Sequence, residues 1–169
     1  MLPEIKTILY STDLGAGAPH VFRYALSIAQ KHDARIAIVH AMEPLSTFGQ
    51  SLVELHISHE QSEEIHRQAR EKVKGDIEGR LETFCALELC GDPEGRERVS
   101  EIRIVEGQPA QEIVRLAGEL KADLVVMGTH RHTAVGEALL GTTAHKVLHS
   151  CELPTLLVRI PNGYREEGF

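Results

Sequence analysis

The alternation of short apolar runs with segments of helical periodicity is the feature that most limits what this chain can fold into. Five runs are short, apolar and bounded by turn residues, and they cover 6–12, 35–42, 101–105, 123–128 and 155–159. Segments with apolar residues at helical spacing lie between them. Because parallel strands need long crossover connections, which are usually helical, the pattern predicts an α/β fold with a five-stranded parallel sheet.

Four helices are predicted between these strands. The first follows residue 15, and a long second helix covers about 52–89, where apolar residues recur every four positions and imply a broad packing face. The third starts at Pro109, a residue suited to a first helical turn. The fourth covers 137–149. We expect 90–98 (CGDPEGRER) to be a turn-rich connector, and the tail 161–169 to be frayed.

Composition narrows the class of protein. A chain of 169 residues fits a single domain, 1–169, and its net charge of −7 argues against nonspecific binding of DNA or RNA. No apolar run approaches the roughly 20 residues that span a bilayer, and the amino terminus lacks the layout of a signal peptide. Three cysteines do not suggest a disulfide framework, which fits a reducing compartment. We therefore expect a cytoplasmic protein without a membrane or nucleic-acid partner.

Residues 127–143 (MGTHRHTAVGEALLGTT) contain the strongest candidate for a ligand-binding loop. Gly128 closes the fourth strand, and Gly141, Thr142 and Thr143 lie at the start of the last helix. Free backbone N–H groups and two hydroxyls at a helix start suit a phosphate. The segment is not a Walker loop, because no Gly-Lys-Ser/Thr follows, and it does not have the dinucleotide fingerprint GxGxxG.

The same segment carries part of a family motif. The chain closely resembles the universal stress protein family, whose nucleotide-binding members carry Gly, two residues, Gly, nine residues, then Gly and Ser or Thr. Gly128 matches the first position, and Gly141 with Thr142 the last. The resemblance extends over nearly the whole chain, through ILYSTD, AIVHAMEP, VEGQPAQEIVRLAGELKADLVVMGTHR and LLGTTAHKVLHSCELPTLLVR. It implies a Rossmann-like or flavodoxin-like three-layer sandwich with strand order 3-2-1-4-5.

The resemblance also implies a ligand, ATP or AMP with or without Mg²⁺, and a set of contacts. Asp13 is placed near the ribose or adenine, and the backbone of Val39 is placed against the adenine. The other implied nucleotide contacts are Thr12, Met127, Gly128, Gly141, Thr142 and Thr143, with the last three on the phosphates. The residues themselves support the role of Asp13, since a carboxylate that ends the first strand can accept hydrogen bonds from ribose hydroxyls. The alternative is that Asp13 caps a helix or a turn.

Arg131 departs from the family motif, because it stands where the second glycine is expected and is flanked by His130 and His132. Glycine lets the backbone approach a ligand closely and adopt a positive φ, so Arg131 could obstruct the nucleotide. Its guanidinium could instead bind phosphate directly. The two alternatives are a nucleotide-binding protein, whose 129–140 loop orders on binding, and a nucleotide-independent interaction module.

The resemblance further implies a stress-response protein that binds rather than catalyses, with at most slow ATP hydrolysis. It also implies a homodimer formed through the last strand, which begins at Thr155 and ends at Arg159. An apolar edge strand favours pairing with another chain. The alternative is that the tail or the long second helix covers this edge.

Two histidine clusters offer other chemistry. On a helix, His56, His59, Glu63 and His66 share one face, which suits either a metal ion or a solvated polar surface. His145 and His149 lie four residues apart near Cys151, which fits a surface pair better than a nucleophilic site, because no motif supplies an activating pocket. We therefore predict no resident metal and no catalytic residue.

Overall fold

A computed structural model describes residues 2–44, 59–90, 92–129, 140–161, 163–164 and 166, with only the backbone of residue 59. Its strands are β1 (Thr7–Ser11), β2 (Arg35–Met42), β3 (Val99–Glu106), β4 (Leu124–Gly128) and β5 (Thr155–Val158). The helices are α1 (Ala18–His32), α2 (His59–Glu88), α3 (Pro93–Arg98), α4 (Pro109–Glu119) and α5 (Thr142–Ser150).

The five strands form one parallel sheet in the order β3-β2-β1-β4-β5, which confirms the predicted architecture. Tyr10 of β1 pairs with Ile38 of β2 on one side and with Val126 of β4 on the other. Both Lys6 and Thr7 donate their backbone N–H groups to one carboxylate oxygen of Asp123, at 2.8 and 2.9 Å. Asp123 thereby holds the start of β1 beside the start of β4.

Two apolar layers cover the sheet. Successive residues of β1 point to opposite faces, so that Ile8 and Tyr10 join the cluster under α1 and α2, whereas Leu9 joins the cluster under α4 and α5. In the first cluster, Phe22 is fully buried, with its ring centroid 5.4 Å from that of Tyr10 and 5.0 Å from that of Phe84. These three rings join β1, α1 and α2.

The connector between α2 and β3 differs from the sequence prediction. It contains the short helix α3, and the carboxylate of Asp92 caps this helix by accepting the Gly95 N–H at 2.9 Å. The expectation of turns alone was wrong because an Asp cap and a following proline start a helix without any apolar periodicity. Pro109 is the first residue of α4, as predicted. The last helix starts at Thr142, and 130–139 lie outside the described residues.

The buried apolar side chains of the long helix α2 lie near its end. There, Leu81 and Phe84 are buried, and so is Leu89, the first residue after the helix. In the predicted stripe, by contrast, Ile65 is 53% exposed and Val73 is 47% exposed. The broad packing face predicted from the stripe is therefore wrong at Ile65 and Val73, although Ser62 in the first turn is buried. No helix in the described ranges is both long enough and apolar enough to cross a membrane.

Substituting Phe22 tests the aromatic contact between β1, α1 and α2. Phe22→Ala removes a fully buried ring, so we expect the free energy of unfolding to fall by about 3–5 kcal/mol. Denaturant unfolding of both proteins measures the difference. Leu2→Ala is the control, since Leu2 is 87% exposed and its loss should change stability by less than about 0.5 kcal/mol. Equal effects of the two substitutions would contradict this packing.

Candidate functional site

A cleft of about 690 Å³ lies at the carboxyl ends of β1, β2 and β4. The cleft lies beside β1. Here the strand order reverses, because the chain adds β2 and β3 on one side of β1 and β4 and β5 on the other. Open parallel sheets bind their ligands at such reversals of strand order. The residues that line it and bear on the site are Thr12, Asp13, Gly17, His40, Ala41, Glu43, Met127, Gly128, Gly141, Thr142, Thr143 and Ile160.

The turn that follows β1 is fixed by its own side chains. The buried Thr12 donates its N–H to the Val39 carbonyl at 3.0 Å, and its hydroxyl oxygen accepts the Leu14 N–H at 3.0 Å. Asp13 accepts the Gly15 N–H on Oδ1 at 2.8 Å. Asp13 therefore acts as a turn residue, as the alternative held, and its exposed carboxylate also keeps Oδ2 without a protein donor among the described residues.

His40, two residues before the end of β2, contacts this turn. Its Nδ1 lies 2.8 Å from the Thr12 carbonyl oxygen. A carbonyl can only accept, so Nδ1 carries the proton and Nε2 of the neutral ring has a lone pair. The sequence places residues 40–43 at a strand end where ligands gather, but His40 was not assigned to the site because it looks like one polar residue inside the apolar run 35–42. Its position at the carboxyl end of a buried strand was the available signal.

The start of α5 forms another wall of the cleft. Gly141 is the N-cap, without a side-chain capping bond, and its carbonyl accepts the His145 N–H at 2.9 Å. The N–H groups of Thr142, Thr143 and Ala144 precede that first helical bond and so have no acceptor within the helix. Such a helix start attracts anions.

The charges of the cleft are mostly negative. Among the described lining residues, Asp13 and Glu43 are acidic, and none is Lys or Arg. Tyr10 also lines the cleft and donates its hydroxyl to the Ala18 carbonyl at 2.9 Å. Burial raises the pKa of Tyr10 far above its ordinary value, so the phenol stays neutral. A phosphate in this cleft therefore needs a positive partner beyond these side chains.

Small residues allow the chain after β5 to close one side of the cleft. A Cβ on Gly17 would lie 2.5 Å from Cδ1 of Ile160, and a Cβ on Gly128 would lie 3.0 Å from Cγ2 of Val21. Gly128 thus serves packing as well as any ligand. Ile160 is a lining residue that sequence reasoning missed, since it follows the last strand and no motif marks it.

The tail continues from Ile160 back to α1. Glu166 donates its backbone N–H to the Ala16 carbonyl at 3.4 Å, and its carboxylate accepts two hydrogen bonds from Arg23, at 2.6 and 3.0 Å. The Arg23 guanidinium holds the pKa of the Glu166 carboxyl below its ordinary value. The same guanidinium binds Glu88 of α2 at 2.8 and 2.9 Å. The expected fraying is therefore wrong for the described tail residues.

The cleft brings together most of the nucleotide contacts predicted from the sequence. These are Thr12, Asp13, Met127, Gly128, Gly141, Thr142 and Thr143. Val39 is fully buried and does not line the cleft, and its neighbours His40 and Ala41 do. Arg131, together with His130 and His132, lies outside the described residues.

The remaining histidine and cysteine hypotheses gain no further support. His56 and the side chain of His59 are not described, and no group of three potential metal ligands exists among the residues that are. The exposed His145 and His149 rings have centroids 4.7 Å apart and form a surface pair. Cys85 is buried, and burial raises its pKa to about 11, so this thiol is unreactive at neutral pH.

Comparisons with known proteins agree on one family. The model of the universal stress protein family matches residues 4–159. A universal stress protein of Thermus aquaticus is 34% identical over 155 residues, which cover 91% of this chain and 98% of that protein. The solved structure of MJ0577 from Methanocaldococcus jannaschii has a TM-score of 0.66 at 24% identity, covering 95% of this chain and 100% of that one. A universal stress protein solved in complex with cAMP has a TM-score of 0.55 at 22% identity, with 94% and 100% covered.

The contact between Gly17 and Ile160 yields a test of the cleft wall. Gly17→Ala forces Ile160 away, so we expect a loss of about 1–3 kcal/mol in the free energy of unfolding. Gly79→Ala is the matched control, because a Cβ on this helical glycine meets nothing within 4 Å, and it should gain about 0.5–1 kcal/mol. Thermal or denaturant unfolding measures both. A neutral Gly17→Ala would show that the Ile160 side chain moves aside at little cost and that close packing does not require Gly17.

Proposed function

This chain belongs to the universal stress protein family, and on that premise we propose that it is an adenine-nucleotide-binding homodimer of the stress response. Its ligand is ATP or AMP, with or without Mg²⁺. Its role is binding, with at most slow ATP hydrolysis. We place it in the cytoplasm, where its three free cysteines suit a reducing compartment.

One observation carries the nucleotide proposal, namely that a single cleft collects the Asp13 carboxylate and the open N-terminus of α5. The carboxylate suits ribose hydroxyls, and the helix start suits phosphate. A volume of about 690 Å³ lies within the usual range of small-molecule sites. The related protein solved with cAMP supports an adenine nucleotide as the class of ligand.

Charge indicates what Arg131 does in this proposal. The described lining residues include two carboxylates and no Lys or Arg, so the phosphates require cationic partners. The α5 dipole supplies only a partial charge. Arg131 follows β4 by three residues and the lining residue Thr129 by two. We assign it to the phosphates as a charged, forked donor.

Titration with nucleotides tests both assignments. We expect calorimetry to detect binding of ATP or AMP, and no binding of either at millimolar concentration would overturn the proposal. Arg131→Gly restores the family glycine but removes the cation, so we expect ATP affinity to fall by about tenfold, the loss of one charge-assisted contact. Arg35→Gly is the control, because Arg35 is exposed, lies at the start of β2 and does not line the cleft.

A gain of affinity in Arg131→Gly would favour the second candidate function, a nucleotide-independent interaction module. The observation behind that candidate is the replacement of the motif glycine by Arg131. In that case the wild-type protein should bind nucleotide poorly and the variant better. Assays of ATP turnover with and without a chelator separately test for slow hydrolysis and for metal dependence.

The homodimer proposal rests on the exposed edge of β5. This strand pairs with β4 only, and its residues Leu156 and Leu157 are half-buried within one chain. The described tail residues turn to α1, and α2 contacts β3 at the opposite edge. Neither of the two segments suggested as a cover therefore lies over β5 in the part of the chain that the structure describes. An uncovered apolar edge strand favours a second copy.

A proline on the free side of β5 tests the dimer. Val125 and Thr129 donate to the carbonyls of Pro154 and Val158, so by alternation the N–H of Leu157 points away from β4. We expect the wild-type protein to sediment as a dimer and Leu157→Pro as a monomer. Far-UV circular dichroism checks that the variant keeps its fold. A folded variant that remains dimeric would exclude this edge as the interface.

A further inference from the structure

The turn after β1 has a backbone conformation that needs external support. Leu14 has φ of 57°, in the left-handed region that non-glycine residues avoid. Strained residues of this kind persist where the surroundings hold them, and they concentrate at ligand sites. The hydrogen bonds that the Leu14 and Gly15 N–H groups donate to the side chains of Thr12 and Asp13 lie within the turn itself.

Support from outside the turn comes from β2. The Val39 carbonyl accepts the Thr12 N–H at 3.0 Å, and the His40 ring donates to the Thr12 carbonyl at 2.8 Å. The first bond is backbone to backbone and exists for any residue at position 39. The His40 bond depends on a side chain, so the identity of residue 40 decides whether the Thr12 carbonyl is held.

We propose that His40 is a positioning residue for Asp13, which it holds toward the nucleotide by fixing the Thr12 carbonyl. This inference rests on the proposed nucleotide site and assigns it a part that acts without contacting the ligand. His40 fixes the Thr12 carbonyl, and the Thr12 carbonyl in turn fixes the position of the Asp13 carboxylate. The Gly15 N–H fixes Oδ1 of Asp13, which leaves Oδ2 for the ligand.

The positioning role predicts the tautomer of the His40 ring, which can be measured without any nucleotide. Nδ1 must carry the proton of the neutral ring, so nitrogen chemical shifts should show the Nδ1–H tautomer for His40. The opposite tautomer could not donate to Thr12 and would overturn the proposal. This spectrum is recorded on the free, full-length protein.

Two substitutions separate the donor from the rest of the ring. Asn places an N–H donor near the position of Nδ1 but has nothing at the position of Nε2, whereas Leu keeps bulk and has no donor. In His40→Leu we expect the amides of Leu14 and Gly15 to exchange with solvent about tenfold faster, because the turn opens more often. In His40→Asn their exchange should stay near that of the wild-type protein. Unchanged exchange in the Leu variant would contradict the role.

The ATP affinity of the same two variants is a second test of the role of His40. We expect His40→Leu to weaken ATP binding by about tenfold, as is usual when the support of a ligand-contacting group is lost, and His40→Asn to restore most of it. If the Asn variant binds ATP as weakly as the Leu variant, the ring acts through Nε2 on the ligand itself and the proposal is wrong. His66→Leu is the control, since this half-buried histidine of α2 does not line the cleft.

A double-mutant cycle with Asp13→Asn tests whether His40 acts through Asp13. The amide oxygen that this substitution introduces can still accept the Gly15 N–H, so the turn is kept while the carboxylate charge is lost. We expect His40→Leu to have little further effect on ATP affinity in this background, because its target has already been removed. An undiminished tenfold loss would assign His40 a general structural role instead.

The outcomes distinguish this inference from the proposed function. Failure of the wild-type protein to bind ATP or AMP would overturn the nucleotide site, and the tautomer and amide exchange would still decide whether His40 holds the turn. Binding of nucleotide with equal affinity by the wild-type protein and His40→Leu would leave the site intact and overturn only the role of His40.

Discussion

The burial of β1 on both faces is the constraint on which the rest of the structure depends. Ile8, Leu9 and Tyr10 are all fully buried, in two different apolar clusters. A strand covered on both faces needs helices above and below the sheet, so the connections must pass on both sides. The reversal of strand order beside β1 then opens the cleft, and the residues that follow β1 and β4 line it.

Much of this fold could be predicted because its signals are local. The run 35–42 became β2 with the same bounds, since a continuous apolar segment too short for a helix between turn residues favours a buried strand. Proline at the start of α4 is an equally local signal. The stripe on α2 misled because periodicity reports which residues share a face, whereas burial of Ile65 and Val73 needs another surface in contact with that face.

The candidate site could be predicted only in outline. Residues that directly follow strands, such as Thr12 and Asp13, are marked by their position, and Gly141 and Thr142 are marked by the helix that they start. His40 and Ile160 enter the cleft through tertiary contacts, one across neighbouring strands and one by the return of the chain to Gly17. The position of His40 near the end of a buried strand indicates the correct edge of the sheet, but no spacing in the sequence shows the contacts themselves, since they depend on which strands become neighbours.

The return of the tail to α1 has a consequence for how the protein is handled. Ile160 is a wall of the cleft, and six residues later Glu166 is anchored to Ala16 and Arg23. A purification tag or fluorescent fusion placed soon after Glu166 would therefore disturb a segment that borders the cleft. The start of β1 is held by Asp123 at the opposite end of the strand from the cleft. Labels placed before β1 are accordingly the better choice.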